Sequence, residues 1–251
     1  MQRKQANLEL ALLRGGKIDL AQGALIASGV NSKRVLAQYL AQIDQLCLRI
    51  AAEAISYHGD DLEKAKGIFN WLWRAKPHRY QYQGNFKLTE VLDAQLGEKD
   101  EVGNCLGLTI LYNVLGQRFN LWVGAVQLED AFGLGPHVFT VLHIAGSSID
   151  IENVFSHGFD YRGHLDNPRR QGWGDRELIA DIYHSIANSL FEQRELERAI
   201  ESYDKAIRLN PKYTKARLNK GIALVELGRV AEAREWFREK EDYSSSASAA
   251  L

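Results

Sequence analysis

An α+β fold follows from three features of this 251-residue sequence. Apolar residues recur with the 3.6-residue period of a helix through most of the first half. The period changes to two between Leu121 and Val154, as strands require. Helical spacing then returns from about Glu177, carrying an internal 34-residue repeat in which Ala187, Ala199 and Tyr203 recur as Gly221, Ala233 and Phe237.

Taken in order, residues 18–28 predict a short helix capped by Asp19 and ended by Gly29. Lys33 to Tyr57 forms a longer one, with Val35, Leu36, Leu40, Ile43, Leu46, Cys47 and Ile50 on one stripe; Cys47 reads as a core thiol. Asp60 and Glu63 have the spacing of a capping box opening a helix to about Arg74, which Pro77 closes. Thr89 to Ala94 suggests another short helix, and Gly97 to Asp100 a loop. Three strands are expected, over Leu121–Leu128, His137–Ile144 and Ser148–Val154, the last two close enough for an antiparallel hairpin. Residues 156–176, with Pro168, Trp173 and the pair Arg169-Arg170, lack periodicity and read as an ordered connector, the arginines as a solvated pair.

Composition narrows the function. With 31 basic and 32 acidic residues the net charge is −1, so no global field draws the chain to nucleic acid or to an anionic membrane. Two cysteines are too few for a disulfide framework and form no CxxC pair, which suits a reducing, cytoplasmic setting. Leu8 to Arg14 is too short and interrupted for a secretory signal, and the most apolar window, Cys105 to Val126, is broken by Asn113, Gln117, Arg118 and Asn120, so no membrane span is expected.

The run Gly103-Asn104-Cys105-Leu106-Gly107-Leu108-Thr109 places a thiol at the first turn of an apolar helix, where orphan N–H groups and the positive dipole end favour negative charge. His137 and Asp150 follow on two strands, in the order nucleophile, base, orienting carboxylate. His137, Phe139, Val141 and His143 share one strand face; Ser148, Asp150 and Glu152 share one face of the next, and a register slip would turn Asp150 and Glu152 away together. Each residue also has a plainer reading: Cys105 as a small core residue, His137 as a loop-end hydrogen bonder, His143 as a structural histidine that substitutes if His137 points away. Cys105, His137, His143 and Asp150 carry metal-ligating atoms, but no spacing supports a metal site, and none is expected; no cofactor is implied.

These residues resemble the transglutaminase-like, papain-like cysteine protease superfamily, and within it the bacterial branch in which such a domain precedes tetratricopeptide repeats. The resemblance runs from about Ile18 to Phe155 and is carried by Asp19-Leu20-Ala21-Gln22-Gly23-Ala24-Leu25-Ile26-Ala27, Gly103 to Thr109, Gly135-Pro136-His137-Val138-Phe139 and Ile149-Asp150-Ile151-Glu152-Asn153. It implies a papain-like fold, a Cys-bearing helix packed on an antiparallel sheet, with a catalytic triad of Cys105, His137 and Asp150 acting on a peptide or amide. The helical repeat after Glu177 resembles the tetratricopeptide repeat, about one and three-quarter units, implying a protein or peptide partner. The expected division is 1–155 for the catalytic domain, 156–176 connector, 177–243 repeats and 244–251 disordered tail. The rival function is a non-catalytic interaction module that keeps the groove and uses the repeats for recruitment.

Overall fold

The helix that begins at Cys105 is apolar on every side, and every residue from Leu106 to Gly116 is buried. Such a helix must be wrapped rather than laid on a surface. In the computed structural model, which describes residues 6–15, 19–55 and 59–237, it is the sixth helix, α6 (Cys105–Arg118). Before it come α1 (Ala6–Leu13), α2 (Leu20–Ala27), α3 (Lys33–Ala54), α4 (Asp61–Ala75) and α5 (Leu88–Leu96). The Asp19 and Asp60 side chains cap α2 and α4 by accepting from the amides of Ala21 and Glu63, at 2.7 and 2.8 Å. The α1 helix was not anticipated. The last two residues of the predicted 33–57 helix and the whole 244–251 tail lie outside the described residues.

One antiparallel sheet follows: β1 (Val123–Leu128), β2 (His137–Ile144), β3 (Ser147–Ile151) and β4 (Gln171–Trp173), in the order β3-β2-β1-β4. The fourth strand was missed. It comes from the stretch taken for a connector, and its three residues, one of them glycine, are too short to show a period; Trp173 pairs with Ala125. The third strand ends at Ile151, not Val154, because the Glu152 amide leaves the ladder for the Gly158 carbonyl at 2.8 Å. A side chain at Gly158 would place its Cβ 2.0 Å from the Glu152 carbonyl oxygen, so this closure requires glycine.

Polar groups of α6 fasten it to its neighbours. Tyr112 donates to the Ala65 carbonyl of α4 (2.8 Å), Thr109 to the Val138 carbonyl of β2 (3.2 Å) and the Asn113 amide to the Gly124 carbonyl of β1 (2.9 Å). The chain is thus mixed: helices around a small four-stranded antiparallel sheet. It then divides between Leu178 and Ile179 into two compact units. The second contains most of α7 (Asp175–Glu192), then α8 (Leu196–Leu209), α9 (Thr214–Glu226) and a further helical run over 230–237.

Candidate functional site

The head of α6 is built by close backbone approach. Asn104 is the N-cap, its side-chain oxygen accepting from the Gly107 amide at 3.1 Å, and Cys105 is the first helical residue. The Asn85 carbonyl accepts from the Asn104 amide at 3.0 Å and sits between two glycines. A Cβ at Gly103 would come within 2.6 Å of that oxygen, and one at Gly107 within 2.4 Å of it and 2.7 Å of Val91. The Gly-Asn-Cys-Leu-Gly pattern is therefore steric as well as a cap: it lets residues 84–86 cross the helix end. The Cys105 thiol remains half-buried beside Tyr80.

His137 opens β2, and its ring interacts with the Cys105 thiol strongly enough to raise its proton affinity. Its Nε2 pairs with Glu152 Oε2 at 2.7 Å. Asp150, expected in this place, is not the carboxylate that meets His137. The register sets Asp150 opposite Val141, four residues along β2 from His137 and hence about 13 Å away, whereas Glu152 continues the same face two residues nearer. Asp150 is instead gripped by Arg170, which donates to both of its oxygens at 2.7 and 2.8 Å, to the His164 carbonyl at 3.0 Å, and lies over the Phe139 ring. Arg170 is consequently not the solvated residue expected; its neighbour Arg169 is exposed beside Glu129.

Burial of the ring drives the His137 pKa down, but hydrogen bonds and charge from Cys105 and Glu152 overcome this and lift it to about 10. Burial pushes Glu152 up, and its hydrogen bond to His137 together with attraction to His137 and His164 outweighs that, leaving it below its ordinary value. The pair is an imidazolium–carboxylate at neutral pH. Glu152 is held from behind by its successor: Asn153 donates to the Thr140 and Thr109 hydroxyls at 3.0 and 3.4 Å, and Thr140 to Asn113 at 2.6 Å, a buried network shared with α6.

His164 completes the cluster. It stacks on Phe139 with ring centroids 5.1 Å apart, with Phe132 and Tyr161 also against it. Its Nε2 lies 3.3 Å from Glu152 Oε2 but is not aligned as a hydrogen bond, and both this nitrogen and Glu152 Oε1 are buried without a hydrogen-bond partner among the described residues. One ring nitrogen each of His137 and His164 and a carboxylate oxygen of Glu152 all lie within 4.8 Å of one another, the arrangement of a potential metal-ligand set. His143 is elsewhere: near the far end of β2, hydrogen-bonded to Ser148 and tilted against exposed Trp122. Cys47 is half-buried within α3, and burial pushes its thiol up to about 11. Glu152, His164 and Arg170 were not singled out from sequence as site residues. Glu152 shared the parity of Asp150 and could have been weighed equally; nothing local marks the other two.

In the second unit, Ala199, Ala206, Ala216 and Ala223 are buried where helices meet, and Tyr203 donates to Asn188 at 2.8 Å. A Cβ at Gly221 would stand 2.7 Å from the Phe237 ring, so the small residue and the aromatic wedge recurring in the sequence are in contact. Residues 184–247 match the tetratricopeptide repeat family. This segment is a tetratricopeptide repeat. The chain is also 43% identical over 58 residues to an uncharacterized protein of Methanocaldococcus jannaschii, covering 23% of this chain and 67% of the archaeal one, and the two belong to one family over that stretch. No solved structure matches the chain. None of the described helices, those of the tetratricopeptide repeat included, is long and apolar enough to cross a membrane.

Proposed function

We propose that the first unit is a papain-like, transglutaminase-type thiol hydrolase or acyl transferase acting on a peptide or amide. Cys105 is its nucleophile, His137 its base and acid, and Glu152, in place of Asp150, its orienting carboxylate. The observation that carries this reading is the set Cys105, His137 and Glu152: a half-buried thiol at a helix head, a histidine ring that interacts with it, and a fully buried carboxylate on the ring's Nε2.

In the reaction, the His137 imidazolium already carries the proton that the thiol has given up, and the sulfur attacks the acyl carbon. The tetrahedral oxyanion forms beside the first turn of α6, whose Cys105 amide is a natural donor. His137 then returns the proton to the departing amine, leaving a thioester on Cys105. Water or an acceptor amine, deprotonated by His137, resolves it. Glu152 keeps the imidazole in the orientation and tautomer that face the sulfur throughout.

The test is alkylation with iodoacetamide at pH 6.5, read residue by residue by mass spectrometry, with Cys105→Ala and Cys47→Ala controls. Cys105 is expected to react faster than a small reference thiol; a rate no greater removes the activated-nucleophile reading. The tetratricopeptide repeat favours a second reading for the other unit, the recruitment of a protein partner, since stacked helical repeats present surfaces suited to peptides.

A further inference from the structure

We infer that His137, Glu152 and His164 form a binding site for a divalent transition-metal ion of the zinc class, with a fourth coordination position open. All three side chains are at least nine-tenths buried, at 8%, 0% and 5% exposure. Two of their polar atoms, Glu152 Oε1 and His164 Nε2, have no hydrogen-bond partner among the described residues, an arrangement that is costly unless something else satisfies them. Zinc bound tetrahedrally at about 2.0–2.2 Å sets neighbouring ligand atoms roughly 3.3 Å apart. The His164 Nε2 to Glu152 Oε2 separation is already 3.3 Å, and the His137 Nε2 to Glu152 Oε2 separation of 2.7 Å opens by about 0.6 Å when the ion replaces the shared proton. The histidine-to-histidine distance lies within 4.8 Å, so it closes by no more than about 1.5 Å.

Two imidazoles and one carboxylate are the donors of an open transition-metal site, whereas magnesium and calcium select all-oxygen sets. Of the other groups the sequence offered as metal-ligating, His143 is remote from this place and Asp150 is occupied by Arg170. His164 is braced by its backbone, its carbonyl accepting from Arg170 and from the Asn167 amide, so the third ligand is presented by a fixed turn. A consequence that rests on the thiol reading follows: an ion on His137 Nε2 ties up the ring that must carry the proton, so metal occupancy and thiol chemistry exclude one another.

Zinc titration by calorimetry on the full chain carrying Cys105→Ala and Cys47→Ala tests the site with no thiol present, so the result is independent of whether Cys105 is activated. One zinc per chain is expected, with magnesium failing to bind. Adding His164→Gln should weaken zinc by more than the roughly 10–100-fold that loss of an outer-shell partner costs, while adding His143→Gln changes nothing. Absence of stoichiometric zinc, or binding insensitive to His164→Gln, overturns the site. If His164→Gln does not fold, cobalt substitution of the thiol-free chain decides. Intense visible d–d bands lost on adding zinc support the site; a weak octahedral spectrum overturns it.

Discussion

Exchanging Glu152 for Gln and, separately, Asp150 for Asn separates the carboxylate the structure sets against His137 from the one the sequence put forward. Glu152 is fully buried and 2.7 Å from the ring; Gln keeps its size and an acceptor but removes the charge. Removing one member of a buried ion pair leaves about 3–5 kcal/mol of uncompensated charge. The protein relieves this by releasing the His137 proton. At 1.36 kcal/mol per tenfold, the proton affinity of His137 falls by at least about 100-fold from its raised value, and alkylation of Cys105 at pH 6.5 slows. Cys47 does not confuse the assay, because burial holds its thiol near 11.

Asp150→Asn has the opposite profile. It strips the Arg170 guanidinium of a bidentate partner, but Arg170 is 23% exposed and keeps the His164 carbonyl and the Phe139 face, so the cost is about 2–3 kcal/mol, below that of breaking a fully buried pair. Melting should fall by roughly 5–10 °C while the alkylation rate changes less than about threefold. If Asp150→Asn abolishes the reactivity of Cys105 and Glu152→Gln leaves it intact, the Cys105–His137–Glu152 assignment is refuted.

Two other outcomes follow from the same geometry. Gly107→Ala forces a Cβ against the Asn85 carbonyl and Val91, and should lower stability by about 1–3 kcal/mol in urea titration, with Cys105 alkylation slowed as the helix head shifts; an unchanged midpoint contradicts the close approach. Because the His137 pKa is raised in the folded chain, from 6.5 to about 10, the stability it contributes is complete below pH 6.5 and disappears as pH rises toward 10. The stability difference between wild type and His137→Gln should therefore shrink across that interval, and a difference that is flat or grows removes the ion pair as its source.

Much of the scaffold was legible because its signals are local. Asp19 and Asp60 cap the helices their spacing marked, and β2 runs from His137 to Ile144 as the alternation requires. Cys105 and His137 were visible for the same reason, one at a helix head and one at a strand start. The carboxylate was not, since Asp150 and Glu152 have equal parity and only the register against β2, with the strand ending at Ile151, decides which reaches the ring. His164 and Arg170 come from an aperiodic stretch 27 and 33 residues beyond His137, where nothing in the sequence indicates that the chain returns to the sheet.

That return explains why one strand face tolerates two buried carboxylates two residues apart. Like charges so placed in a poorly solvated region oppose one another's ionisation, and an unshielded Asp150 would work against the charge on Glu152. Arg170 neutralises Asp150 through two short bonds, while His137 and His164 attract Glu152 and hold it ionised. The segment 161–170 thus serves the site twice, neutralising the carboxylate that is not in contact with His137 and adding an imidazole to the one that is. Arg170→Met should then affect Cys105 more than Asp150→Asn does, because it leaves a buried anion in place, whereas the Asn variant removes the anion.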